Sequence, residues 1–128
     1  MIQSYLKDEA QKILPELEWS IEFYTGEDNT GTVYSEAGDP PDTYEVGYRY
    51  PQYMFMIRSS DWGNASKYVQ VLMNHFHNQQ SLYVEMDSVP YRIFSIEALG
   101  EPLRLGVKDN VMEWTLNVKV LLREVKEK

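Results

Sequence analysis

Residues 91–123 read YRIFSIEALG EPLRLGVKDN VMEWTLNVKV LLR, and this stretch decides the fold. In its second arm Met112, Trp114, Leu116, Val118, Val120 and Leu122 fall on one side. Glu113, Thr115, Asn117, Lys119 and Arg123 fall on the other, with Leu121 alone out of pattern. A period of two held this long is the mark of a long, half-buried antiparallel strand. The first arm sets Phe94, Ile96 and Ala98 against Tyr91 and Ile93 and reads as a second strand. Between the arms, Gly100 to Asn110 is rich in turn formers and reads as their connection.

Upstream of this pair, Ser59, Ser60 and Asp61 are three N-cap residues in a row. They open a helix with Ala65, Val69, Leu72 and Phe76 as its buried stripe, ended by Asn78-Gln79-Gln80-Ser81. Tyr53-Met54-Phe55-Met56-Ile57 is apolar on both sides, which predicts a strand covered on both faces or buried in an oligomer. Tyr44 to Tyr50 alternates as a strand, and Pro51 interrupts the two. Nearer the start, Ile2, Leu6, Ala10, Ile13 and Leu17 recur at helical spacing, predicting a helix over Ile2 to Leu14 that Pro15 stops. Trp19 to Tyr24 and Thr32-Val33-Tyr34 read as short strands. Glu36-Ala37-Gly38-Asp39-Pro40-Pro41-Asp42 carries adjacent prolines and turn formers, so an exposed, mobile loop is expected over 36–43.

Helices alternate with strand pairs, so a doubly wound parallel sheet is not expected. The expectation is a single α+β domain over 1–128, with a mostly antiparallel (mixed) sheet of about four to six strands covered by two helices. The chain of 128 residues has room for one core. It has no cysteine, which excludes disulfides, thiolate nucleophiles and thiolate metal sites. No apolar run approaches a membrane span, and no membrane partner is expected. The net charge of −8 is local: residues 1–45 hold 11 acidic residues against Lys7 and Lys12. No basic cluster stands ready to neutralise phosphates, so specific nucleic-acid binding is not expected.

His75 and His77 lie two apart on the second helix and point to different faces, so they form no metal clamp and read as a solvent-facing pair. No phosphate-binding glycine loop and no nucleophile elbow occurs. No enzyme activity, catalytic residue, metal or cofactor is therefore expected. The aromatic and thioether surplus in mid-chain suits an interface as well as a core. The candidate interaction surface comprises Glu36, Asp39, Pro40, Pro41, Asp42, Tyr44, Tyr48, Tyr50 and Tyr53.

Several of these segments resemble a family of small phage proteins. They are Phe55-Met56-Ile57-Arg58, the Ser60-Asp61 helix opening, Tyr91 to Leu99, Glu101-Pro102-Leu103 with Leu105-Gly106, and Met112 to Val120. The family is the minor capsid, tail terminator or head–tail joining proteins of long-tailed bacteriophages, and the resemblance covers about Tyr53 to Arg123. It implies a virion assembly protein that forms a homo-oligomeric ring, expected as a hexamer. The ring caps the tail tube protein and joins it to the head-side neck or connector proteins, while DNA passes through the lumen. Its place is the tail–head junction of the virion, after synthesis in the bacterial host cytoplasm. The alternative reading is a monomeric intracellular protein-binding adaptor without catalysis.

Overall fold

The computed structural model describes residues 2–23, 27–41, 47–86 and 88–125. In chain order the elements are α1 (Ile2–Ile13), β1 (Glu18–Ile21), β2 (Thr30–Asp39), β3 (Tyr48–Ser59) and α2 (Trp62–Phe76). After them come β4 (Gln79–Met86), β5 (Val89–Ala98), β6 (Leu103–Lys108) and β7 (Val111–Glu124). The protein is α+β: two helices and a mixed sheet of seven strands in the order β1-β2-β3-β7-β5-β4, with β6 also on β7. The β1–β2 pair is parallel and the rest are antiparallel. Helix α1 packs against both β1 and β4, the two ends of that order, so the sheet curls around it.

The best-patterned strand sits at the centre. β7 lies along β3 on one edge, and its other edge is shared by β5 and β6. Its even-numbered side chains point to the helices, where Met112, Leu116, Val118, Val120 and Leu122 are buried and Trp114 packs half-buried against them. β5 and β6 run in the same direction along β7, so 89–108 is one long hairpin arm that steps out of the ladder between Ala98 and Leu103. The real turn is only Asp109-Asn110, both left-handed at φ 51° and 66°. This is the twist that joins two strands through two residues.

Helix α2 starts where its cap predicts. Asp61 is the N-cap, and its Oδ1 accepts from the Asn64 amide at 3.1 Å. The buried residues of α2 are Ala65, Val69, Leu72 and Phe76, the helix-period stripe itself. Phe76 stacks on Phe55 of β3 at 4.9 Å between centroids, and Trp19 meets Phe55 edge-on at 6.4 Å. Trp19 in turn donates from Nε1 to the Leu14 carbonyl at 3.0 Å, tying the end of α1 to β1.

Several expectations are corrected. The seventh strand is one more than the sheet was expected to hold. β4 begins in the Asn78–Ser81 stretch read as a helix end; only its second half alternates, with Leu82, Val84 and Met86 toward the core and Tyr83 and Glu85 exposed. β6 occupies most of the expected connection between the last two strands. Residues Glu36 to Asp39, expected in a mobile loop, belong to β2, and Pro40 and Pro41 follow it as exposed, irregular residues. The rest of that expected loop, with Asp42, lies outside the described residues, as do Tyr44 to Val46.

Pro51 does not interrupt β3. It lies where the β2 ladder shifts between Glu36–Gln52 and Asp39–Tyr50, a bulge that tolerates a residue without an N–H. A Cβ on Gly38 would collide there with the Tyr50 carbonyl oxygen, so only glycine fits the close approach. Within the single chain only one side of β3 is fully covered: Tyr53, Phe55 and Ile57 are buried, while Met54 and Met56 are half-exposed on the second face. In β5 the two expected faces do not stay apart, since Tyr91, Ile93, Ile96 and Ala98 all pair with even-numbered residues of β7. A bulge at Phe94 puts Ile93 and Ile96 on the helix side and Phe94 on the second face. β1 ends at Ile21, because Glu22 turns left-handed at φ 66°, and Phe23 is exposed.

Because Phe55 contacts aromatic rings from β1 and α2 and is fully buried, Phe55→Ala removes the contact that joins three elements. The expected loss is about 3–5 kcal/mol, read as a lower urea midpoint at unchanged slope.

Candidate interaction surface

Sheet parity divides the predicted surface residues into two groups. Even-numbered residues of β3 pair with odd-numbered residues of β7 and face away from the helices. Tyr48 and Tyr50 are therefore on the second face, together with Glu36 and Asp39 of β2 across from Gln52 and Tyr50. Asp39 is held by the Lys119 ammonium at 2.7 Å, and Lys119 also lies 5.7 Å from the Tyr50 ring centroid. Tyr48 stacks on Phe94 at 5.2 Å, and the stack is capped by Arg123 over Tyr48 and Arg92 over Phe94. These aromatics are covered by cations, which leaves little ring face to offer a partner.

Tyr53 is odd-numbered and stands on the opposite, helix-bearing face. Its side chain is buried, with the residue 6% exposed, and lines a cavity of about 390 Å³. The cavity lies between the first turn of α1 and the far ends of β3, β5 and β7, where Ile2, Arg49, Tyr91, Leu122 and Glu124 also line it. Burial pushes the Tyr53 phenol up to about 12, with the nearby Tyr91 adding to the rise and Arg49 opposing it. Of the predicted residues, then, the structure gathers Glu36, Asp39, Tyr48 and Tyr50 and separates Tyr53 from them.

A second surface was not anticipated. β6 has Leu103 60%, Leu105 51% and Val107 46% exposed, with Leu99 48% exposed just before it. Leu103 pairs with Thr115 on the second face and Val107 with Met112 on the helix face, while Leu105 sits in a bulge beside Gly106 at φ 122°. Apolar side chains thus leave β6 on both sides. Among the described residues β6 pairs with β7 alone, so its outer edge is open. Trp62 at the start of α2 holds the hairpin tip, donating from Nε1 to the Asn110 carbonyl at 3.3 Å, and is itself half-exposed. The signal for β6 lay in Leu103, Leu105 and Val107, which alternate with Arg104 and Gly106.

Near the α2 start, a buried ion pair pins the chain. Arg58 Nε donates to Glu113 Oε2 at 3.0 Å and Arg58 Nη1 to the Glu27 carbonyl at 2.8 Å. Asp28 accepts from both the hydroxyl and the amide of Ser60, and these bonds hold its carboxyl below the usual range. Of the two histidines, His77 is exposed as expected and His75 is not. His77 Nδ1 accepts from the Ala98 amide at 3.0 Å, joining α2 to β5, while His75 Nε2 is buried without a partner.

Among the described residues no group of three His, Asp or Glu side chains could hold a metal ion. No helix there is long and apolar enough to cross a membrane. Compared with known proteins, the chain matches no family model and no curated protein.

The raised phenols give a pH dependence with a definite sign. Tyr5, raised by burial and by the Glu9 carboxylate, reaches about 12, as Tyr53 does. Between the ordinary value of 10.0 and about 12 the unfolded chain has lost protons that the folded chain retains, so stability falls as pH rises through that window. The urea midpoint is expected to drop across it, and Tyr53→Phe should flatten part of the drop. An unchanged pH profile in that variant would place the hydroxyl in water.

Proposed function

We propose that this chain is a structural subunit of a bacteriophage tail, a terminator or head–tail joining protein. Copies of it form a ring on the end of the tail tube, meet the neck proteins on the head side and let DNA pass through the lumen. The role is one of shape and contact, without catalysis, at the tail–head junction of the virion. The resemblance over Tyr53 to Arg123 brings the family into view. The observation that carries the reading is β6, which among the described residues has an open edge and half-exposed apolar side chains on both faces. Such an edge is a template for another chain, and a protein that keeps one uncovered has a partner for it.

The acidic first third supports the same reading, since a like-charged wall lets DNA pass without adhering. Arg104 and Lys108 flank the apolar side chains of β6, charges that discourage indiscriminate edge pairing while leaving the apolar side chains available.

Mixing the protein with isolated tail tubes tests this reading by electron microscopy. Rings are expected at tube ends. Leu105→Asp, at an exposed position where substitutions usually change stability by no more than about 0.5 kcal/mol, should leave the fold intact and the ends bare. Bare ends with the unsubstituted protein, together with a persistently monomeric state, would overturn the proposal in favour of an adaptor that uses β6 to bind an unrelated peptide.

A further inference from the structure

We infer that His77 is a proton-operated clamp on the base of the β6 arm: the neutral imidazole ties the arm to α2, and protonation releases it. This holds whatever molecule the arm meets.

The bond that forms the clamp has one possible direction. The Ala98 amide can only donate, so His77 Nδ1, 3.0 Å away, accepts through its lone pair and carries no proton. The ring is therefore neutral, with its single proton on Nε2. The bond arises because β4 begins at Gln79, opposite Ile96. The same register carried back by two would set residue 77 opposite Ala98. Residue 77 is instead the C-cap of α2, with its own amide on the Met73 carbonyl at 2.9 Å, so its backbone is committed to the helix. Asn78 reaches the Ile96 carbonyl at 2.8 Å, and the imidazole meets the Ala98 amide that the ladder leaves over.

Ala98 is the last residue of β5. Leu99 then donates to the Asn117 carbonyl at 2.9 Å, and residues 100–102 run outside the ladder to β6. Holding Ala98 thus fixes the point from which the arm departs. The tip of the arm is held by the opposite end of the same helix, through the bond from Trp62 to the Asn110 carbonyl. Helix α2 grips the arm at both ends, and among the described residues the strand between them pairs with β7 alone. Of the two grips only His77 responds to pH, since an indole N–H is a donor in every state.

Protonation places an N–H on Nδ1 against the Ala98 N–H, so donor faces donor and the bond is lost. The charged ring has a second position open to it. A cavity of about 480 Å³ lies beside it, lined also by Met73, Asn74, Gly100 and Glu101. Glu101 supplies a carboxylate there, and the carbonyl end of α2 adds partial negative charge. The other charged or titratable neighbours lie elsewhere. Glu97 of β5 is opposite Lys119 on the second face, β4 opens with the uncharged Gln79 and Gln80, and His75 has its Nε2 buried within the fold. Neutral and charged imidazole thus have different partners, the Ala98 amide and Glu101, which is the differential contact a two-position device requires. The bond contributes while the ring is neutral and is lost as pH falls through the histidine range, from about 8 to 5.

NMR of the full chain tests this, with amide hydrogen exchange expressed as protection factors so that the intrinsic pH dependence of exchange cancels. At neutral pH, long-range proton–nitrogen correlation should show His77 as the Nε2–H tautomer. As His77 titrates, protection at Ala98 and Leu99 should fall about fivefold, the size of one hydrogen bond, and the β6 amides that bond to β7 should follow. His77→Asn, whose side-chain oxygen stands in for Nδ1 and does not titrate, should keep Ala98 protected throughout. His77→Phe, which has no acceptor, should leave it weakly protected throughout. An Nδ1–H tautomer at neutral pH overturns the clamp, as does protection at Ala98 that ignores the His77 titration. An acid loss that persists in His77→Phe also overturns it and assigns the effect to His75, the only other histidine, or to a carboxylate. Loosening confined to Ala98, with the β6 amides unmoved, would mean that β7 alone holds the arm, and would overturn it too.

Discussion

The structure depends on the register of β7. One of its edges is held by β3 along nearly its whole length, and the other by β5 and then β6. A shift of one residue against either neighbour would turn Leu116, Val118 and Val120 away from the helices and bring Asn117 and Lys119 in. Two bulges keep both ladders compatible with that register. In β5 the extra residue is Phe94 and in β6 it is Leu105, each an inserted position that β7 lacks. The helices depend on the same register, because α2 lies over the face that β7 fixes and Phe76 reaches Phe55 only there.

What could be read from the sequence was what is local. The β7 face and the α2 stripe follow from periodicity, and the α2 start follows from a side chain bonding the amide three residues on. What could not be read depends on a distant partner. Pro51 looked like a strand breaker because its tolerance comes from the bulge at Gly38, a residue of another strand. Phe94 looked like core because one inserted residue reverses parity, and nothing near it announces the insertion. β4 opens with the polar run Gln79-Gln80-Ser81, so its alternation, Leu82, Val84 and Met86 against Tyr83 and Glu85, is confined to its second half.

The candidate site shows the same division. Tyr48, Tyr50 and Tyr53 are neighbours in sequence, and grouping them followed from composition. Parity alone separates them, since 48 and 50 are even and 53 is odd in an uninterrupted register with β7. The cavity beside Tyr53 needs the first turn of α1, some fifty residues away, to close it. The apolar arm was present as an alternation of Leu103, Leu105 and Val107, but Pro102 and Gly106 gave the segment the look of a turn.

The Asp109-Asn110 turn also bears on how the chain reaches this structure. Closing a two-residue loop costs little chain entropy, and hairpins of this kind form in about 1–10 μs. Pairing β3 with β7 instead requires the ends of a loop containing α2, β4, β5 and β6 to meet. The β6–β7 and β4–β5 hairpins, each closed through two residues, are thus the cheapest strand pairings available to the chain, and the sheet can grow from them. The order of events then carries a hazard. The strand that is least covered in the finished subunit is formed before the core that would hold it apart from other chains, and Arg104 and Lys108 are the charges that guard it while the rest of the sheet assembles.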